Sequence, residues 1–186
     1  MSHMKVGIVS MGCSKNLVDS ERLARRFLDA GIEIDFDSAE GADYAVINTC
    51  GFIGDAKEES IEKIMDALAA KERGELRGVY VMGCLSERYR SELADVIPEL
   101  DGIYGKFDWD GIVDELAGKN RASARPWERE LSTAPHYTYV KVSEGCNRFC
   151  AFCAIPLITG RHHSRPVDEI AAEVADLASR GTREFN

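Results

Sequence analysis

The chain has 186 residues, 45% of them hydrophobic, with 32 Asp and Glu against 23 Lys and Arg, enough to bury a substantial core in one or two domains. No apolar run approaches the roughly eighteen residues of a membrane span, and the N-terminus lacks the charged-then-apolar pattern of a secretion signal, so the expected setting is a reducing cytoplasm. Residues 135–186 carry six charges of each sign, which puts the whole net charge of −9 on residues 1–134; that surface argues against a large phosphate-binding face there, although solubility alone would also explain it.

Met1 to His3 read as a cloning remnant. Lys5 to Ser10 is a buried β-branched run, hence a strand, and Leu17 to Ala30 follows as a helix with Leu23, Phe27 and Ala30 on one face and Gly31 as its stop. Ile32 to Phe36 and Tyr44 to Thr49 read as strands, Asp55 to Arg73 as a long helix ended by Gly74, and Val79 to Met82 as a fourth strand. Ser86 can cap a helix running to Val96, Pro98 interrupts the chain, Gly102 to Tyr104 is a short fifth strand, and Asp108 to Ala117 closes the series as a helix. Such β/α alternation predicts an α/β fold with a parallel sheet flanked by helices over residues 4–117; flavodoxin-like and Rossmann-like strand orders both fit.

Residues 118–135 mix Gly, Ser, Pro and charge without periodicity and read as a linker. A second unit starts at residue 136: Tyr137 to Ser143 as a strand, a cysteine-bearing loop, a helix opened by Pro166 and Asp168 and ended by Gly181, and Arg183 to Asn186 as the start of another strand. One β/α unit cannot close a core alone, so residues 136–186 are expected to begin a larger domain.

The six cysteines form two sets of three. Without a secretion signal, such a count points to metal binding or catalysis before disulfides. Cys13, Cys50 and Cys84 each come within three residues of the end of a predicted strand and each neighbour a glycine. Ligands of open parallel sheets bind beyond the carboxyl ends of the strands, so the three can converge on one group, with helix N-termini behind them favouring thiolate. The plainer reading is three small buried residues. Cys146, Cys150 and Cys153 form a compact CxxxCxxC loop. Three thiolates on a cubane iron-sulfur cluster leave one iron open to a substrate or cofactor, whereas four close it. Zinc is the alternative, with His162 or His163 as fourth ligand. Phe152, just before the last cysteine, suits either the core or stacking on an adenine.

That CxxxCxxC loop, with an aromatic before its last cysteine and a strand before it, resembles the radical S-adenosylmethionine superfamily. Gly12-Cys13-Ser14-Lys15-Asn16-Leu17-Val18-Asp19-Ser20-Glu21, Asn48-Thr49-Cys50-Gly51-Phe52-Ile53 and Gly83-Cys84-Leu85 resemble the N-terminal domain of its methylthiotransferase family. The Ser-Lys-Asn-Leu-Val-Asp-Ser run and the segment from Ser143 to Pro166 are similar to the type that modifies an aspartate of a small-subunit ribosomal protein, where the tRNA-modifying type has a Gln-Met-Asn run at its first cysteine.

The resemblance implies two 4Fe-4S clusters, a catalytic one on Cys146, Cys150 and Cys153 and an auxiliary one on Cys13, Cys50 and Cys84. It implies S-adenosylmethionine as cofactor, with Phe152 against it, cleaved reductively to a 5′-deoxyadenosyl radical, and a reductant such as flavodoxin or ferredoxin. The implied substrate is a small-subunit ribosomal protein, with no membrane partner and no nucleic-acid contact from this part of the chain. The family pattern continues through further β/α units and an RNA-binding-type domain, so residues 136–186 are expected to be the front of a truncated barrel and the chain by itself to be inactive. A tRNA methylthiotransferase and a non-catalytic iron-sulfur or zinc module stay open as alternatives. Asn16, Asp19 and Ser20 match the family motif but suit helix capping nearly as well, and Arg161 and Arg165 read as loop arginines within reach of a cofactor or an acidic substrate.

Overall fold

A computed structural model of the chain describes residues 4–52, 54–119 and 125–186. Residues 1–3, read from the sequence as a cloning remnant, Ile53 of the second cysteine motif and residues 120–124 of the expected linker lie outside the described residues.

The first unit holds a five-stranded parallel sheet: β1 (Lys5–Ser10), β2 (Glu33–Phe36), β3 (Tyr44–Thr49), β4 (Gly78–Gly83) and β5 (Gly102–Ile103), in the order β2-β1-β3-β4-β5. This is the flavodoxin-like order, which resolves the choice left open by the alternation alone. β1 and β3 have the predicted bounds because each is a buried apolar run covered on both faces, the pattern parallel strands require.

Side chains alternate across the sheet. Val6, Ile8, Val46, Tyr80 and Met82 pack against Leu23, Ala24 and Phe27 of α1 (Ser14–Asp29) and Ile112 and Val113 of α5 (Trp109–Ala117). Ala45, Ile47, Val79 and Val81 face Ile64, Ala67 and Leu68 of α2 (Gly54–Glu72) on the other side. Each large aliphatic or aromatic side chain so buried contributes about 1.5–3 kcal/mol. α1 and α2 both close as the glycines predicted, with Ile32 N–H donating to Phe27 O at 2.9 Å and Glu75 N–H to Ala70 O at 3.0 Å, the paired carbonyl closure of a Schellman motif.

β2 and β3 are parallel and flank β1, yet only residues 37–43 connect them, with no helix between. The connection lies flat on β1 at Gly7, where a Cβ would stand 2.6 Å from the Ala39 Cα. A side chain at position 7 would lift the crossover off the sheet.

Three expectations are corrected. The helix from Ser86 to Val96 is two, α3 (Cys84–Arg88) and α4 (Arg90–Val96), divided at Tyr89, whose φ of −126° and ψ of 34° leave the helical region while its ring lies by Lys57 and Arg88. Ser86 is not its cap; its hydroxyl donates to Tyr104 O at 2.7 Å and so ties α3 to the end of β5. The strand from Tyr137 to Ser143 is likewise two, β6 (Tyr137–Thr138), parallel to β9 (Glu184–Phe185), and β7 (Ser143–Glu144), antiparallel to β8 (His163–Ser164). Between them the Tyr139 and Lys141 carbonyls accept side-chain bonds from Arg129 and Arg165 in place of a neighbouring strand's N–H groups.

α6 (Ile155–Thr159) was not anticipated; Pro156 in its first turn starts it where an N–H would be unsatisfied anyway. α7 (Val167–Ser179) follows β8, with Pro166 as its N-cap. Among the described residues no helix is long and apolar enough to cross a membrane.

Candidate metal centre

β1, β3 and β4 are consecutive neighbours in the sheet, so the residues that follow them line one edge in the order Cys13, Cys50, Cys84. This edge includes the point between β1 and β3 where the strand order reverses, the usual ligand crevice of such sheets. Two glycines bring the loops into contact. At Gly12, φ is +87° and a Cβ would stand 2.7 Å from both Cβ and Sγ of Cys50; at Gly51 it would stand 2.8 Å from the carbonyl carbon of Cys84. The three strand-end loops therefore lie side by side, with Cys13 exposed, Cys50 buried and Cys84 between the two in exposure.

Asn16 organises this edge. Its buried amide donates to Met11 O at 3.1 Å and to Thr49 O at 2.9 Å, joining the loops after β1 and β3. Its Oδ1 accepts from Cys84 Sγ at 3.4 Å and from the Lys106 ammonium at 3.0 Å. Asn48 returns the tie, donating to Asn16 O at 2.7 Å and to Ser20 Oγ at 2.9 Å. Helix capping is thus not the task of Asn16, Asp19 and Ser20: Cys13 itself occupies the N-cap of α1, without a side-chain cap bond. Nor does a helix terminus hold the Cys84 thiol down. Burial pushes it above the ordinary thiol range, against the opposing pull of Lys106, so any metal that binds there must displace a proton.

The second set sits on a loop folded back on itself. Cys146 N–H donates to Gly160 O at 3.1 Å, Cys153 N–H to Cys150 O at 3.0 Å, and His162 N–H to Asn147 Oδ1 at 3.1 Å. Gly145, with φ at +75°, lets the Arg161 carbonyl approach where a side chain would stand. Cys150 is exposed, Cys146 and Cys153 are half-buried, and His162 and His163 are exposed, His163 within β8. Phe152 is 95% exposed, so it is not a core residue and its ring is open to a planar partner. Arg161 stacks its guanidinium 5.9 Å from the Phe149 ring centre, and Arg165 is committed to Glu173 at 2.6 Å and to the Lys141 carbonyl at 2.7 Å.

α3 begins at Cys84 and packs against α6, which begins two residues after Cys153, so the sheet edge at Cys84 and the end of the second cysteine loop are joined by this helix pair. All six cysteines are free thiols. Each set is three sulfurs with no carboxylate or imidazole among them, a soft donor set that fits a thiolate-held iron-sulfur group and not a hard, oxygen-seeking cation. Among the described residues no three His, Cys, Asp or Glu side chains already stand in a metal-holding arrangement. Closing three thiols on one group therefore calls for side-chain rotation, which the exposed Cys13 and Cys150 are free to make.

Sequence reasoning did not single out Lys106, Lys141 or Glu144. Lys141 and Glu144 flank the loop that carries Cys146, and their pairing at i, i+3 was visible in the sequence; their burial was not.

A family model described as uncharacterized protein family UPF0004 matches residues 5–105. Over its full length the chain is 53% identical to a protein of Bacteroides fragilis and 50% identical to one of Porphyromonas gingivalis, covering 43% of each. It is 46% identical over 179 residues, 96% of its length, to a protein of Chlorobaculum tepidum, of which it covers 41%. All three relatives are named ribosomal protein uS12 methylthiotransferase RimO. The chain thus spans less than half the length of these curated relatives.

Proposed function

Because the chain belongs to the family described as uncharacterized protein family UPF0004, and its relatives are named as methylthiotransferases, we propose that it is part of a radical S-adenosylmethionine methylthiotransferase. The enzyme adds a methylthio group to an aspartate side chain of a small-subunit ribosomal protein in the cytoplasm, and a flavodoxin or ferredoxin supplies its electrons. Residues 4–117 form its N-terminal domain, 118–135 the connection and 136–186 the start of the radical domain.

The observation that carries this reading is the placement of Cys13, Cys50 and Cys84 along one sheet edge, with α3, which begins at Cys84, packed against α6, which follows the loop of Cys146, Cys150 and Cys153. A single three-cysteine set would suit many radical enzymes; a second set in the same chain suits one that inserts sulfur. Bound on these thiols, two 4Fe-4S clusters and the cofactor would supply reductive carbon-sulfur cleavage and a sulfur to be methylated. The chain's own residues hold and shield. Cys13, Cys50 and Cys84 ligate the auxiliary cluster, and Gly12 and Gly51 keep their loops close. Cys146, Cys150 and Cys153 would hold the catalytic cluster, and Phe152, exposed beside them, would pack on the cofactor.

The test is the mass of the small-subunit ribosomal protein from cells in which this gene is deleted. Loss of one methylthio group, restored by the intact gene, supports the reading; an unchanged mass rejects it.

A further inference from the structure

Asp19 is 0% exposed, and its two carboxylate oxygens serve different parts of the chain. Oδ2 accepts from Lys106 at 2.6 Å and Oδ1 from Lys141 at 2.7 Å. Both lysines are buried, and both ammonium groups lie 5.7 Å from the centre of the Phe107 ring. Lys106 continues to Asn16 Oδ1, which also accepts from Cys84. Lys141 continues to the Glu144 carboxylate, two residues before Cys146. A polar chain therefore runs from Cys84 of one cysteine set to the loop of the other, and Asp19 bridges Lys106 and Lys141 within it.

Two ammonium groups beside one ring repel each other unless an anion stands between them. Burying charge is costly and tolerated only with close partners, so this arrangement does more than fill space: it fixes where residues 141–146 sit relative to the sheet edge. We propose that Asp19 is a positioning residue that locks the Cys146 loop in register with the Cys13, Cys50 and Cys84 edge, so that both sites are held at a set separation before either is loaded. This rests on the methylthiotransferase reading for its purpose, since sulfur and substrate carbon must meet between the two sites.

The experiment compares the whole protein with its Asp19→Asn variant, which keeps the shape and removes the charge. In metal-free protein, amide hydrogen exchange in residues 104–107 and 140–146 rises ~10-fold or more while α2 exchanges as before. Lys141→Met raises exchange only in 140–146 and Lys106→Met only in 104–107, and Lys141→Met carries the test should Asp19→Asn fail to fold. After anaerobic loading with iron and sulfide, the dipolar coupling between the two reduced sites broadens at unchanged iron content. Wild-type exchange at 140–146 in Asp19→Asn or Lys141→Met, or a rise spread evenly over the molecule, overturns the proposal. Wild-type protein that takes up no iron sinks the functional reading instead and leaves the exchange result to judge the lock.

Discussion

Glu21 of α1 accepts from the Arg129 guanidinium at 2.8 Å, and each side chain is 1% exposed. Arg129 also meets Glu173 of α7 at 2.9 Å and donates to the Tyr139 carbonyl, while Ser132 N–H donates to Glu21 at 3.0 Å. Residues 125–135 are thus seated between the sheet unit and α7. Burial pushes the Glu21 carboxyl above the usual range even though Arg129 opposes it, so the site depends on its cation. Arg129→Ala leaves the buried Glu21 carboxylate without a cation, while Glu173 keeps Arg165 at 2.6 Å, and should cost about 3–5 kcal/mol. The urea midpoint measures it, and a Glu21→Gln/Arg129→Met double variant should lose clearly less than the two single changes together.

The crossover on β1 makes a sharper packing prediction. Gly7→Val places carbon where the Ala39 Cα already stands at 2.6 Å and should cost about 1–3 kcal/mol. Gly54→Ala, with nothing within 4 Å of its new Cβ, should be neutral or stabilising by about 0.5–1 kcal/mol. Equal losses in the two variants would show that the connection is free to lift.

The β/α order and the strand-end cysteines were legible because each rests on a local pattern: a buried apolar run, then a turn, then a helix. β1 and β3 needed nothing else. The roles of Asn16 and Asp19 were not legible, since their partners are distant; Asp19 and Lys141 are 122 residues apart. A short polar motif at the start of α1 looks like capping until the fold supplies Thr49, Cys84 and Lys106 around it. The two-residue strands β7 and β8 were missed for a similar reason, being held by the folded-back loop between them and not by strand propensity.

Tyr80 gives the alkaline limb of stability a specific cause. Its phenol is pushed up to about 12, chiefly by burial and next by the Glu115 carboxylate. A folded-state value above the unfolded one means that the neutral form is favoured by folding. The resulting stability is complete below about pH 10 and is lost as pH rises through about 12, a change of at most about 3 kcal/mol. Tyr80→Phe cannot titrate, so the fall in its melting temperature between pH 10 and 12 should be shallower than the wild type's. Parallel curves would assign the alkaline loss to other groups.

The two cysteine sets should fail independently. Each is built on its own backbone: Cys50 sits in the sheet edge stitched by Asn16 and Asn48, and Cys150 on the loop closed by Cys146 N–H to Gly160 O. Cys50→Ala should abolish iron at the strand-end site and leave the other loaded, because no ligand of the second set contributes to the first. Cys150→Ala should do the reverse, retaining the strand-end absorbance while reductive cleavage of S-adenosylmethionine is lost. Neither should unfold the chain, since Cys150 is exposed and Cys50 loses only one sulfur from the edge of the α2-side core, a cost of about 1 kcal/mol. Iron and sulfide analysis of anaerobically loaded whole protein, with a cleavage assay, separates the outcomes. If Cys150→Ala cleaves the cofactor at the wild-type rate, the assignment of the catalytic set is wrong. If Cys50→Ala empties both sites at once, the sulfurs share one group and the two-centre arrangement fails.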